Sequence, residues 1–194
     1  MGVGKIEKRR AVFLDRDGVL IESVVVDGKP YPVPDAERVR FVAGAEALCS
    51  RLKDEGYLLV CVTNQPDVAR GTTRREFVEA INRVVGEHLS IDRFEVCYHD
   101  DADGCDCRKP KPGLLLDAAR ELDIDLGGSF MIGDRWKDIE AGKRAGCRTI
   151  FVDYRYDEAV RSEPDYRVDK VEQAIEIIEN RGDGAAGAGR LFRG

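Results

Sequence analysis

Short apolar runs alternate with amphipathic stretches along this chain. The runs are Ala11-Val12-Phe13-Leu14, Tyr57-Leu58-Leu59-Val60-Cys61-Val62, Phe94-Glu95-Val96-Cys97, Phe130-Met131-Ile132 and Thr149-Ile150-Phe151-Val152. Four of them stop at polar residues: Asp15-Arg16-Asp17-Gly18, Thr63-Asn64-Gln65-Pro66, Gly133-Asp134 and Asp153. A run this short, bounded by a turn signal, predicts a buried strand. Tyr166-Arg167-Val168 predicts a short edge strand. Between the runs the apolar spacing switches to a helical period. Ala45, Leu48, Cys49 and Leu52 share one face, with Gly56 as the stop. Phe77, Ile81, Val84 and Val85 form a second face, behind a Thr73/Glu76 capping box. Leu114, Leu115, Ala118, Ala119 and Leu122 form a third, with Pro112 near its first turn. A fourth helix spans residues 136–145 and closes at Gly146. Val171, Ala174, Ile175 and Ile178 make the last, with Asp169 and Glu172 as its cap pair. Strands alternating with helices of this length predict an α/β fold, a mostly parallel sheet covered on both faces. Residues 24–34 hold three prolines and a glycine and predict a loop or flap. The Gly/Ala-rich residues 182–194 predict a disordered tail, leaving residues 1–181 as one domain.

Composition narrows the class. The 194 residues are 43% hydrophobic and 35% charged, which predicts a soluble globular chain. No apolar run approaches the ~20 residues that span a bilayer. The first ten residues are polar with no apolar segment behind them, so the expectation is a cytoplasmic protein without a secretory signal or membrane association. With 31 basic and 37 acidic residues the formal charge is −6. That balance, with only 7% aromatics, argues against nucleic acid as a partner. Cys49, Cys61 and Cys147 sit in apolar surroundings, as buried small hydrophobes do. Cys97, His99, Cys105 and Cys107 instead crowd into eleven residues, a pattern that suits metal better than disulfides. Three thiolates and one imidazole fit a closed tetrahedral Zn²⁺ site, structural because no position stays open.

The strand ends carry the chemistry, because ligands of open α/β sheets sit beyond them. The first run delivers Asp15 and Asp17, the second Thr63 and Asn64. The segment after the third delivers Arg108 and Lys109. The fourth delivers Asp134, with Asp138 a helical turn on. Singly, each has an ordinary explanation: a turn, an N-cap, a solvated lysine. An EF-hand loop fails, because Val26 stands where its twelfth-position glutamate belongs. Jointly they form a set. Three crowded carboxylates need a cation, and oxygen ligands favour Mg²⁺. A carboxylate attacking phosphorus needs Mg²⁺ and a lysine to cancel charge repulsion. A second acid can protonate the leaving alkoxide and then activate water, with an aspartyl-phosphate between the two steps.

Phe13-Leu14-Asp15-Arg16-Asp17-Gly18, Val62-Thr63-Asn64-Gln65, Arg108-Lys109-Pro110 and Gly133-Asp134 through Asp138 resemble the four motifs of the haloacid-dehalogenase (HAD) phosphatase superfamily. The resemblance implies a HAD-like Rossmannoid three-layer α/β/α sandwich. It implies Asp15 as nucleophile and Asp17 as acid/base. Thr63 and Lys109 would steady the phosphoryl group. Asp134 would bind Mg²⁺ with Asp15 and the backbone carbonyl of Asp17, and Asp138 would stand behind them. Capless members with such a zinc loop fall mainly into two groups, the D-glycero-D-manno-heptose 1,7-bisphosphate 7-phosphatases and the histidinol-phosphate phosphatases. The runs from Arg108 to Leu115, Val68 to Gly71 and Ile139 to Gly142 resemble the heptose group more closely. The short His99–Cys105 spacing is shared with the histidinol-phosphate group, and Gln65-Pro66-Asp67 departs from both. The implied substrate is a small phosphorylated metabolite, a sugar bisphosphate, acted on by a monomer. Asn64, Gln65, Arg108 and Tyr31 are the candidate substrate contacts. Histidinol phosphate is the alternative substrate. A polynucleotide 3′-phosphatase and a non-catalytic zinc-held interaction module are the remaining readings.

Overall fold

The structure, a computed structural model, describes residues 8–182. In chain order its elements are β1 (Ala11–Leu14), β2 (Val24–Val26), β3 (Lys29–Tyr31), α1 (Ala45–Asp54), β4 (Leu58–Asn64), α2 (Arg75–Leu89), β5 (Arg93–Cys97), α3 (Gly113–Leu122), β6 (Phe130–Gly133), α4 (Trp136–Ala145), β7 (Arg148–Val152), β8 (Tyr166–Val168) and α5 (Gln173–Gly182). Six strands form one sheet in the order β5-β4-β1-β6-β7-β8, and every neighbouring pair is parallel.

Alternation along the strands builds two apolar layers. Val12 and Leu14 of β1 pack with Leu48 of α1, Ile81 of α2 and Ile178 of α5. Ala11 and Phe13 face the other way, against Leu115 of α3 and Ala141 of α4. The expected α/β/α sandwich is therefore present. Each fully buried Leu or Phe contributes ~1.5–3 kcal/mol, so β1, buried throughout, is a rigid mount for whatever follows it. The chain leaves β1 through α1 towards β4 and leaves β6 through α4 towards β7, the opposite way. Strand order thus reverses between β1 and β6, where a doubly wound sheet opens its binding crevice.

Three local expectations need correction. Residues 24–34 are not all loop: β2 and β3 form an antiparallel hairpin pairing Val24 with Tyr31 and Val26 with Lys29. Its turn is Asp27-Gly28, with φ of 50° and 72°. Two left-handed residues make the turn that matches strand twist, and this Asp-Gly signal outweighs the prolines. The Thr73/Glu76 capping box does not form. The amides of Thr72 and Thr73 both donate to the carbonyl of Asp67, so α2 begins only after Arg74 and has no side-chain cap. Asp169 and Glu172 do not cap α5. The Gln173 side chain instead ties the segment before the helix, accepting from the amides of Asp169 and Lys170 at 2.9 and 3.0 Å. Helix α5 runs through Gly182, and the rest of the predicted tail lies outside the described residues.

Candidate active site and metal-binding clusters

Asp15 follows β1 directly, and its amide still donates to the carbonyl of Ile132 in β6 at 3.0 Å. The nucleophile candidate is therefore tied to the central strands by its backbone. Lys109 reaches it from the loop before α3. Its ammonium meets Asp15 Oδ1 at 2.7 Å, Asp138 Oδ1 at 2.6 Å and the Val62 carbonyl at 2.7 Å. All three protons of a buried ammonium are thus used. Burial opposes its charge, but Asp138 and Asp15 outweigh that and hold Lys109 above the usual lysine range. Asn64 clamps the Lys109 backbone from both sides, donating to its carbonyl at 3.0 Å and accepting from its amide at 3.1 Å. Asn64 thereby fixes where Lys109 stands, and it also lines the cavity over the site.

Asp134 follows β6, beside β1. Gly18 stands against it with φ of 96°, and a Cβ there would lie 2.0 Å from Asp134 Oδ2. Only glycine permits that approach. Asp134 is buried, and neither of its carboxylate oxygens closes a hydrogen bond. Burial, then the charges of Asp15 and Asp138, push its carboxyl well above the ordinary range. Tyr156 faces it, and burial and then the Asp134 charge push that phenol up as well. Asp138 accepts from the Arg135 amide at 3.0 Å. Burial pushes it up to about 6, against the pull of Lys109.

Oxygens of Asp15, Asp134 and Asp138 lie within 4.8 Å of one another. Three carboxylates against one ammonium leave two uncompensated negative charges, the complement of one divalent cation. Buried, unpartnered carboxylate oxygens are costly, and a hard oxygen-seeking ion removes that cost. The donor set fits Mg²⁺. A second cluster lies nearby. Cys97 Sγ is 3.2 Å from Cys107 Sγ and 3.7 Å from Cys105 Sγ, and His99 Nδ1 is 3.3 Å from Cys107 Sγ. Ligands of a tetrahedral zinc stand about 3.3–3.8 Å apart, so these side chains could close around Zn²⁺ with little movement.

A cavity of about 360 Å³ opens over this centre. The candidate substrate contacts Asn64, Gln65, Arg108 and Tyr31 line it, and so do Thr63 and Asp17. Burial raises the Asp17 carboxyl, and Arg16 opposes the rise. Gln65 donates to both Asp17 Oδ2 and Thr63 Oγ1, at 3.0 and 2.9 Å. Arg108 reaches the rim paired with Asp101 at 2.7 Å. Sequence reasoning missed Lys29, Arg70 and Lys137 on the same wall. Lys29 was findable from the Asp-Gly hairpin turn beside it. Arg70 lies in the Val68–Gly71 run already singled out, and Lys137 carried no signal of its own.

A HAD-hydrolase-like family model matches residues 106–174. The D-glycero-beta-D-manno-heptose-1,7-bisphosphate 7-phosphatase of Pasteurella multocida is 38% identical over 156 residues, 74% of this chain and 82% of that protein. The chain belongs to the HAD-like phosphatases. Another relative, the D-glycero-alpha-D-manno-heptose-1,7-bisphosphate 7-phosphatase of Campylobacter jejuni, is 37% identical over 75% of this chain and 83% of its own. Among solved structures, a D,D-heptose 1,7-bisphosphate phosphatase from B. bronchiseptica, complexed with magnesium and phosphate, superposes with a TM-score of 0.75 at 28% identity. That match covers 88% of this chain and 98% of the other. In this HAD-like phosphatase the zinc-type cluster is continuous with Lys109, because Cys107, Arg108 and Lys109 are consecutive. Lys111 fastens the same loop, donating to the Gly104 and Cys105 carbonyls at 3.1 and 2.6 Å.

Proposed function

We propose that this phosphatase removes the 7-phosphate of D-glycero-D-manno-heptose 1,7-bisphosphate through an aspartyl-phosphate at Asp15. The observation that supports it most is the Lys109 ammonium bridging Asp15 and Asp138 beside the unpartnered Asp134. The substrate follows from the names of relatives that match most of the chain. Lys109 occupies Asp15 Oδ1, leaving Oδ2 to attack phosphorus in line. Thr63 accepts from Gln65, which leaves its hydroxyl proton for a phosphoryl oxygen. Asp17, whose carboxyl burial raises against the pull of Arg16, gives a proton to the departing alkoxide and then takes one from the water that releases phosphate. Asp15, Asp134 and the Asp17 carbonyl would hold Mg²⁺, which when bound neutralises phosphoryl charge. Cys97, His99, Cys105 and Cys107 would hold a structural Zn²⁺ that stiffens the loop carrying Arg108 and Lys109. Arg108, with its bidentate fork, and Tyr31 would face the remote part of the sugar. The enzyme would work as a cytoplasmic monomer on a small metabolite.

The test is phosphate release with Mg²⁺ from the heptose bisphosphate, fructose 1,6-bisphosphate and histidinol phosphate, each beside Asp15→Asn. The expected result is a preference for the heptose substrate of at least about 100-fold in kcat/KM, roughly 2.7 kcal/mol of transition-state discrimination, with Asp15→Asn inactive. A preference for histidinol phosphate overturns the substrate. Release by Asp15→Asn at the parent rate overturns the chemistry.

A further inference from the structure

Arg16 is the largest side chain in the molecule with no solvent exposure, and it lies between the two catalytic aspartates in sequence. An arginine stays charged at any physiological pH, so its burial demands partners for the whole fork. They come from two places. Nε and Nη2 reach Asp17 Oδ2 at 3.1 and 3.0 Å. Nη1 donates to Asn82 Oδ1 at 2.8 Å. Asn82 is itself buried, in the middle of α2. The guanidinium is thus a strut from the α2 helix to the carboxylate of Asp17.

The strut treats the two oxygens of Asp17 unequally. Oδ2 accepts from Arg16 Nε at 3.1 Å and from Gln65 Nε2 at 3.0 Å, with Arg16 Nη2 also within ion-pair distance of it. Oδ1 has only a long 3.4 Å contact to Arg16 Nη2. With both lone pairs of Oδ2 taken by these two short hydrogen bonds and only a long one on Oδ1, the proton of Asp17 belongs on Oδ1.

We propose that Arg16, braced by Asn82, is a positioning residue that fixes the Asp17 carboxyl so that Oδ1 is the atom handing its proton to the leaving oxygen. The inference rests on the proposed phosphatase chemistry. In the first step the Asp15–phosphorus bond forms, the phosphorus–oxygen ester bond breaks, and the Asp17 Oδ1 proton moves to the departing alkoxide. In the second, Asp17 Oδ1 takes a proton from water as that water attacks phosphorus and frees Asp15.

Leaving-group dependence separates positioning from mere support. An alkyl phosphate leaves as a strong base and needs the acid. p-Nitrophenyl phosphate leaves as a stable anion and does not. The quantity to compare is kcat/KM, which covers steps up to departure of the alcohol and omits aspartyl-phosphate hydrolysis. For Asn82→Ala and Arg16→Met, kcat/KM on the heptose bisphosphate is expected to fall about 10- to 100-fold further than on p-nitrophenyl phosphate, within the range of general acid catalysis. A burst of p-nitrophenol followed by a slow steady state should also appear, because the second step lacks its oriented base. Equal losses on both substrates, without a burst, overturn the proposal. Should Arg16→Met fail to fold, Asn82→Ala and the milder Asn82→Asp carry the test, and the ratio of the two losses decides it. An Asp15→Asn control that still hydrolyses p-nitrophenyl phosphate would instead count against the aspartyl-phosphate reading.

Discussion

Asp134 and Asp138 are held uncharged more easily in the folded protein than in the unfolded chain, and this has a measurable sign. Their carboxyls are raised by burial, Asp138 to about 6 and Asp134 well above the ordinary range. The folded state therefore binds more protons than the unfolded state, and stability falls as pH rises. The stabilisation is complete below the ordinary carboxylate value and is lost as pH climbs through about 6 and beyond. Carboxylates held low, such as Asp100 at about 2 beside Arg70, act only at more acid pH. Magnesium-free protein should accordingly be more stable at pH 5 than at pH 8 and melt higher there, by about 1.4 kcal/mol from Asp138. Thermal scans check it. Saturating Mg²⁺ should flatten the dependence by holding the carboxylates ionised, and Asp134→Asn should flatten it without metal. A Tm that rises from pH 5 to pH 8 in the metal-free protein would show that these groups are not buried as described.

Two elements carry more than their length suggests. The turn after β1 holds Gly18 against the Asp134 carboxylate, at a φ that other residues rarely adopt. Gly18→Ala should cost ~1–3 kcal/mol of stability and lose most Mg²⁺-dependent activity, since Asp134 must move. Retained activity with an unchanged Mg²⁺ requirement would contradict that packing. The β2–β3 hairpin brings Lys29 to the cleft wall, and Gly28 at its turn accepts from the Asp157 amide at 3.0 Å. Lys29→Ala should raise KM for a bisphosphate about tenfold, the scale of one charge-assisted hydrogen bond, with kcat little changed. A monophosphate such as p-nitrophenyl phosphate should not respond. Equal effects on both would place Lys29 at the transferred phosphate instead. The sheet strands and the α4 boundaries were legible in sequence because short apolar runs met polar stops, aspartates among them, and Gly146 stopped the helix. The hairpin was not, because prolines masked an Asp-Gly turn. The α2 start was not, because the carbonyl of Asp67 takes the amides of Thr72 and Thr73, a contact that spacing does not reveal.

Across the whole molecule, the sheet's reversal between β1 and β6 sets the site and the metal-type knuckle trims it. The convergence of Asp15, Lys109, Asp134 and Asp138 could be anticipated from strand ends alone. The Arg16–Asn82 strut could not, since it joins residues 66 apart and Asn82 lies outside every motif. The knuckle gives a whole-chain prediction: one zinc per chain, and on chelation a several-fold loss of activity, because Arg108 and Lys109 lose a rigid base. Metal analysis and limited proteolysis around residues 100–108 check it, and full activity after complete zinc removal would contradict it. The central claim is that phosphoryl transfer passes through Asp15. It is tested most directly by quenching the enzyme with borohydride during turnover of the heptose bisphosphate and mapping its peptides, since borohydride reduces an acyl phosphate to an alcohol. The account predicts reduction at Asp15 alone, absent without substrate. Reduction at Asp17, Asp134 or Asp138, or none anywhere during confirmed turnover, would contradict it.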